Sequence, residues 1–117
     1  MPLIELDTSC DLSTQEKREG LARRLSKVAA QGIGKPEQYV MACVRDKVTV
    51  SMSGALEPAA LVTVKSIGGL SRDVNQKLAA EISSVLEAEL GISANRIYLT
   101  YTELAPTHWG WNAGTFG

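Results

Sequence analysis

Apolar positions change period along the chain, and the changes mark out its elements. Leu3-Ile4-Glu5-Leu6-Asp7 reads as a short strand headed by Pro2, which a strand accepts at its first position or on an edge because proline donates nothing to the ladder. Ser13-Thr14-Gln15-Glu16 has the form of a capping box, with serine at N-cap and glutamate three residues on. It opens a helix of about five turns. Leu21, Leu25, Val28 and Ala29 share one face, Lys17, Arg23, Arg24 and Lys27 fall largely elsewhere, and Gly32 supplies a left-handed stop. Gly34-Lys35-Pro36-Glu37 is a tight connection to Tyr39-Val40-Met41-Ala42-Cys43-Val44, whose nearly unbroken apolar run predicts a strand buried on both faces. Asp46-Lys47 turns the chain, and residues 48–52 predict a short strand paired back onto it.

After the loop Ser53-Gly54-Ala55-Leu56-Glu57-Pro58 the pattern begins again. Residues 61–67 read as a strand ended by Gly68-Gly69; residues 71–90 as a helix with Val74, Leu78, Ile82, Val85 and Leu86 on one stripe and Gly91 after it; residues 97–102 as a further strand. "GIGKPEQYV" at Gly32 is answered by "GISANRIYL" at Gly91, an offset of about 59 residues. Each half is thus strand, helix, strand, and a helix-length crossover implies a parallel pair with a right-handed connection. The fold class is α+β: two pseudo-symmetric βαβ units forming a four-stranded mixed sheet with both helices on one face. Two helices cover only one side of a sheet. Apolar residues on the other side predict oligomerisation, with sheets packed around a symmetry axis.

Composition narrows the partners. At 117 residues the chain is the size of a single domain, 1–117. Twelve basic against 13 acidic residues give a net charge of −1, which is no footprint for a nucleic acid. No apolar run approaches the ~20 residues of a membrane span, and the start lacks the basic and apolar regions of a secretory signal. The expected location is cytoplasmic, with no membrane partner. Cys10 and Cys43 lack metal-ligand spacing and read as free thiols, Cys43 as a small hydrophobe in its strand. His108, the only histidine, reads as a surface residue.

Met1-Pro2, "GKP" at Gly34 leading into "QYV", "EP" at Glu57, "SIGG" at Ser66, "RIYLTY" at Arg96 and "GWNAGTF" at Gly110 occur in an order that spans nearly the whole chain. Together they resemble the macrophage migration inhibitory factor family of the tautomerase superfamily. The resemblance implies a homotrimer with a pocket at each subunit interface. It also implies an isomerase that needs no cofactor and no metal, interconverting keto and enol forms of phenylpyruvate-like aryl α-keto acids and of dopachrome-type compounds. Removal of Met1 would leave Pro2 as a secondary amine. Such a chain amine titrates at ~8 in the open and lower when buried beside a cation, which suits a general base working near neutrality.

The same resemblance assigns the remaining roles. Lys35 would hold the substrate carboxylate and lower the proline pKa, although a solvated lysine in a turn fits the spacing alone. The Ile67 backbone N–H would donate to that carboxylate; a glycine turn ahead of a helix explains Ser66-Ile67-Gly68-Gly69 equally well. Tyr98 and Thr100 share one strand face and match pocket positions contributed by the neighbouring subunit, with Thr100 where asparagine is common. Trp109, Trp111 and Phe116 would line an apolar wall for the substrate ring, Trp109 in place of a smaller aliphatic residue. Ala59 and Val62 stand where some members carry Cys-x-x-Cys, which removes thiol oxidoreductase chemistry of that kind. The alternative reading is a cytokine-like, partner-binding trimer in which the pocket is secondary. Superfamily relatives use the same proline for dehalogenation, hydration or decarboxylation of unsaturated acids; those reactions recruit further charged groups to activate water, and no matched set is present.

Overall fold

The computed structural model describes residues 1–117. Its main sheet has strands β1 (Pro2–Thr8), β2 (Met41–Arg45), β3 (Ala60–Ser66) and β4 (Ile97–Glu103) in the order β2-β1-β3-β4. β1 runs parallel to β2, β3 runs parallel to β4, and the central pair β1·β3 is antiparallel. Helices α1 (Gln15–Ile33) and α2 (Arg72–Leu90) make the two crossovers. The mixed α+β sheet with paired βαβ units is therefore the architecture that the repeat implies. No helix is long and apolar enough to cross a membrane.

Strand alternation sets the core. Pro2, Ile4, Leu6 and Thr8 of β1 are buried, as are Val62 and Val64 of β3, and all face the helices. Leu21, Leu25 and Ala29 of α1 and Leu78, Ile82 and Leu86 of α2 complete one cluster. Each such leucine or isoleucine contributes about 1.5–3 kcal/mol on burial.

The structure moves several boundaries. Thr14, not Ser13, is the N-cap of α1: its backbone is extended and its hydroxyl accepts the Lys17 N–H at 3.2 Å. Ser13 instead takes φ +67 and donates its N–H to the Asp11 carboxylate. The helix ends at Gly34, which adopts φ +77 and donates to the Ala30 carbonyl, rather than at Gly32. Gly32 lies inside α1, where a Cβ would sit 2.5 Å from Leu78 Cδ2; it permits close helix packing. Gly34 and Gly91 are thus the matching C-caps, and each is followed by a single 3-10 turn, Glu37–Tyr39 or Ala94–Arg96. Aligning Gly32 with Gly91 puts the repeat slightly out of register.

Residues 48–52 form no strand. Lys47 and Val48 donate their N–H groups back to Cys10 and Thr8, and Met52 and Ala55 make an isolated bridge. The loop is held instead by Arg96, whose guanidinium reaches the carbonyls of Met52 (2.7 Å), Ala55 (3.2 Å), Glu57 (2.8 Å) and Pro58 (3.3 Å). One side chain thus gathers four carbonyls, of which Met52 and Ala55 also accept each other's N–H across the bridge.

β2 also departs from expectation, since Tyr39 belongs to a 3-10 turn and the strand is a half-buried edge with Met41 63 % exposed. Cys43 within it is a half-buried free thiol. The uncovered sheet face is apolar only at its ends. Leu3 and Met41 sit together at one end; at the other, Arg45, Asp7, Leu61 and Tyr98 form one cross-strand row, from which Arg45 forks onto Asp7 (2.6 Å) and back onto Glu5 (3.1 Å). Charges that water can reach on the β2–β1 side of this face replace the apolar lining expected from the strands.

Asp46 ties the end of β2 to the start of α1. Its carboxylate accepts Arg18 Nε and the Leu12 N–H, both at 2.9 Å. Those donors, Arg18 first, hold the carboxyl pKa at about 2, below the ordinary ~3.9. The stability it supplies is then complete above pH ~4 and is lost as pH falls toward 2. Asp46→Asn is expected to lower the urea midpoint at pH 7 and to converge on wild type near pH 2. Equal differences at both pH values would refute this account.

Candidate active site

Pro2 begins β1 opposite Ser66, the last residue of β3. Its ring is fully buried. The carbonyl ahead of it, on Met1, accepts the Ile67 N–H at 3.2 Å. The amide assigned by resemblance to a substrate carboxylate therefore already donates to an oxygen in the chain that retains Met1.

The turn presenting that amide is pinned from two sides. Ser66, completely buried, donates its hydroxyl to the Gly68 carbonyl at 2.7 Å, while its own carbonyl accepts the Leu104 N–H at 2.9 Å. Gly68 and Gly69 take φ +73 and +84, values that glycine adopts without steric cost. Lys35 arrives from the C-terminus of α1 directly after the left-handed Gly34, and its N–H donates to Ala30. The Met1 amine lies below its ordinary pKa, mainly through burial and secondly through the Lys35 charge.

The tail closes the other side. After a 3-10 turn at Pro106–His108, strands β5 (Gly110–Trp111) and β6 (Gly114–Thr115) form a hairpin through Asn112 and Ala113, both at positive φ. The indole of Trp111 stacks on Phe116 with centroids 6.1 Å apart and planes 9° from parallel. The Phe116 N–H donates to the Trp109 carbonyl. Two adjoining clefts result. One, of about 590 Å³, is lined by Met1, Lys35, Tyr39, Ile67, Trp111 and Phe116 among others. The second, of about 660 Å³, takes in Pro2, Met41 and Trp109 and shares Met1, Tyr39 and Trp111 with the first.

Six of the expected residues thus converge: Pro2, Lys35, Ile67, Trp109, Trp111 and Phe116. Tyr98 and Thr100 do not. They lie on the open face of β4, the opposite edge of the sheet, and both are exposed. Pro2 is level with Ser66 and Glu103, so strand rise and spacing put Thr100 roughly 14 Å and Tyr98 roughly 19 Å from it. Within one chain they reach no cleft. His108 is exposed and lines neither.

Tyr39, which lines both clefts, carried no role in the sequence reading. Its signal was its place four residues after Lys35, which one 3-10 turn brings back to the same mouth. Gly69 and Ser66 read only as turn residues, and their contacts are visible only in three dimensions.

A profile of the family described as Macrophage migration inhibitory factor (MIF) matches residues 1–117. The macrophage migration inhibitory factor of Meriones unguiculatus is 33% identical over 99% of both chains. A D-dopachrome decarboxylase-B of Xenopus laevis is 33% identical over 96% of this chain and 94% of its own length. Among solved structures, a macrophage migration inhibitory factor homologue from Prochlorococcus marinus superimposes with a TM-score of 0.92 at 36% identity, covering 98% of this chain and 99% of that one. Matches of this extent in sequence and in fold establish that the chain belongs to the macrophage migration inhibitory factor family, within the tautomerase superfamily.

Proposed function

We propose that this chain is a cofactor-independent keto–enol tautomerase of phenylpyruvate-like aryl α-keto acids, with Pro2 as general base once Met1 is removed. The observation that carries the reading is the convergence of the buried Pro2, the Lys35 cation and the Ile67 amide at the mouth of an aromatic cleft. A substrate bearing a carboxylate at one end and an aryl ring at the other matches that arrangement. Lys35 and the Ile67 N–H take the carboxylate, and Trp111 stacked on Phe116 takes the ring. Both carbons of the enolising bond then lie near the proline nitrogen. Neutral at working pH, that nitrogen accepts the proton from the carbon beside the ketone and returns it in the reverse direction. Dopachrome-type compounds, toward which the name of the Xenopus laevis relative points, offer the same pairing of ring and carboxylate.

The working unit is a homotrimer. Exposed Met41 and Trp111 lie on the β2 side of the sheet and exposed Tyr98 on the β4 edge. A closed ring of copies covers both at once, and the family resemblance sets the number at three. Tyr98 and Thr100 then enter the cleft of the neighbouring copy.

Protein whose intact mass shows loss of Met1 is expected to equilibrate enol and ketone phenylpyruvate. A form retaining Met1 should turn over at least about 10²-fold more slowly and should bind aryl carboxylates weakly, because its own carbonyl occupies the Ile67 amide. Undiminished turnover with Met1 in place would exclude Pro2 as base. Lys35→Ala is expected to raise KM by about 10- to 100-fold, the range for loss of a charge-assisted hydrogen bond. It should also move the acid limb of the kcat/KM profile to higher pH, since removing a nearby cation raises the pKa of the amine. An unmoved limb would show that Lys35 does not act on the base.

A further inference from the structure

We infer that Gly69 is the positioning residue for Lys35: the side chain it lacks is what allows the lysine stem to lie against the Gly68-Gly69 turn and deliver its ammonium to the mouth of the cleft. This rests on the tautomerase reading and deepens it, since it identifies what sets the affinity for an anionic substrate.

A Cβ at Gly69 would stand 2.7 Å from Ile33 Cγ2, 3.2 Å from the Ile33 carbonyl and 3.3 Å from Lys35 Cε. Ile33 ends α1 and is buried in the core, so it has little room to retreat. The turn cannot slide either, because Ser66 grips it through the Gly68 carbonyl and through Leu104. The half-buried lysine stem is the one partner free to leave. Gly68 beside it makes an internal reference. It has nearly the same left-handed backbone, φ +73 against +84, yet nothing lies within 4 Å of its Cβ position. Alanine at either position is strained by its φ, but only at Gly69 does its Cβ press on the Lys35 stem, which must then give way.

Gly69→Ala is expected to raise KM for phenylpyruvate about tenfold more than Gly68→Ala does, with kcat little changed. The methyl ester of phenylpyruvate, which has no carboxylate, should respond equally to both substitutions. In a Lys35→Ala background, Gly69→Ala should add less than about twofold, since residues acting through one contact are non-additive. If Gly69→Ala destabilises the chain, the double substitution Ile33→Ala/Gly69→Ala removes the Cγ2 clash and keeps the one with Lys35. Equal KM changes for the two glycines, or full additivity with Lys35→Ala, would overturn the inference. An inactive wild type would instead count against the tautomerase reading. The Lys35 Cε resonance still decides the placement in that case: displaced in Gly69→Ala and unmoved in Gly68→Ala if the inference holds, alike in both if it fails.

Discussion

The antiparallel seam between β1 and β3 organises everything at the candidate site. Antiparallel pairing sets the first residue of β1 against the last residue of β3, so Pro2 meets Ser66 and the glycine turn that follows. The flanking pairs are parallel. β2 therefore begins beside the beginning of β1, which delivers Lys35 and Tyr39 to the same end, and β4 ends beside the end of β3, which delivers the aromatic tail. Four separate stretches of sequence converge because of strand direction alone. The start of β4 must then lie at the far end, which is why Tyr98 and Thr100 are out of reach within one chain.

The two faces of that sheet have different tasks. The helix-covered face carries the buried leucines, isoleucines and valines that stabilise the fold. Arg45, Asp7 and Glu5 on the open face are part-exposed ion pairs, of a kind worth about 0–1 kcal/mol each. They add little to the chain's own stability. They do keep the β2–β1 side of this face compatible with water, while its apolar pairs, Leu3 with Met41 and Leu61 with Tyr98, remain suited to contact with another copy.

Much of this was legible in the sequence because the signals were periodic or local. The stripe on the second helix and its Gly91 stop agree with the structure, and the alternation of β1 separates buried from open residues. The errors arose where one residue type serves two purposes. Ser13 and Thr14 can both cap a helix, and only backbone geometry chose Thr14. Gly32 looked like a stop but makes room for Leu78, whereas the true stop is Gly34. Residues 48–52 alternate like a strand, yet their neighbours' carbonyls are served by an arginine far along the chain, a contact that no local pattern encodes. The site was legible as a set of motifs because their order spans the chain. Tyr39, Ser66 and Gly69 were missed because their contribution lies in whom they touch.

The hydrogen bond from Ile67 to the Met1 carbonyl sharpens what the proposed reaction requires of the fold. A half-buried N–H left without a partner is costly, about 1–3 kcal/mol, so a site that presents a free amide to substrate must hold it there against relaxation. Here Ser66 and Leu104 hold the turn through hydrogen bonds that do not involve the Ile67 N–H. In the unprocessed chain the peptide carbonyl fills that place. On the proposed mechanism, loss of Met1 would leave the donor aimed at the same point beside a cation, where a substrate carboxylate would take the place of the Met1 carbonyl. In that mechanism the step that exposes the basic nitrogen would also open the anion site beside it, so that base and binding pocket would become available together.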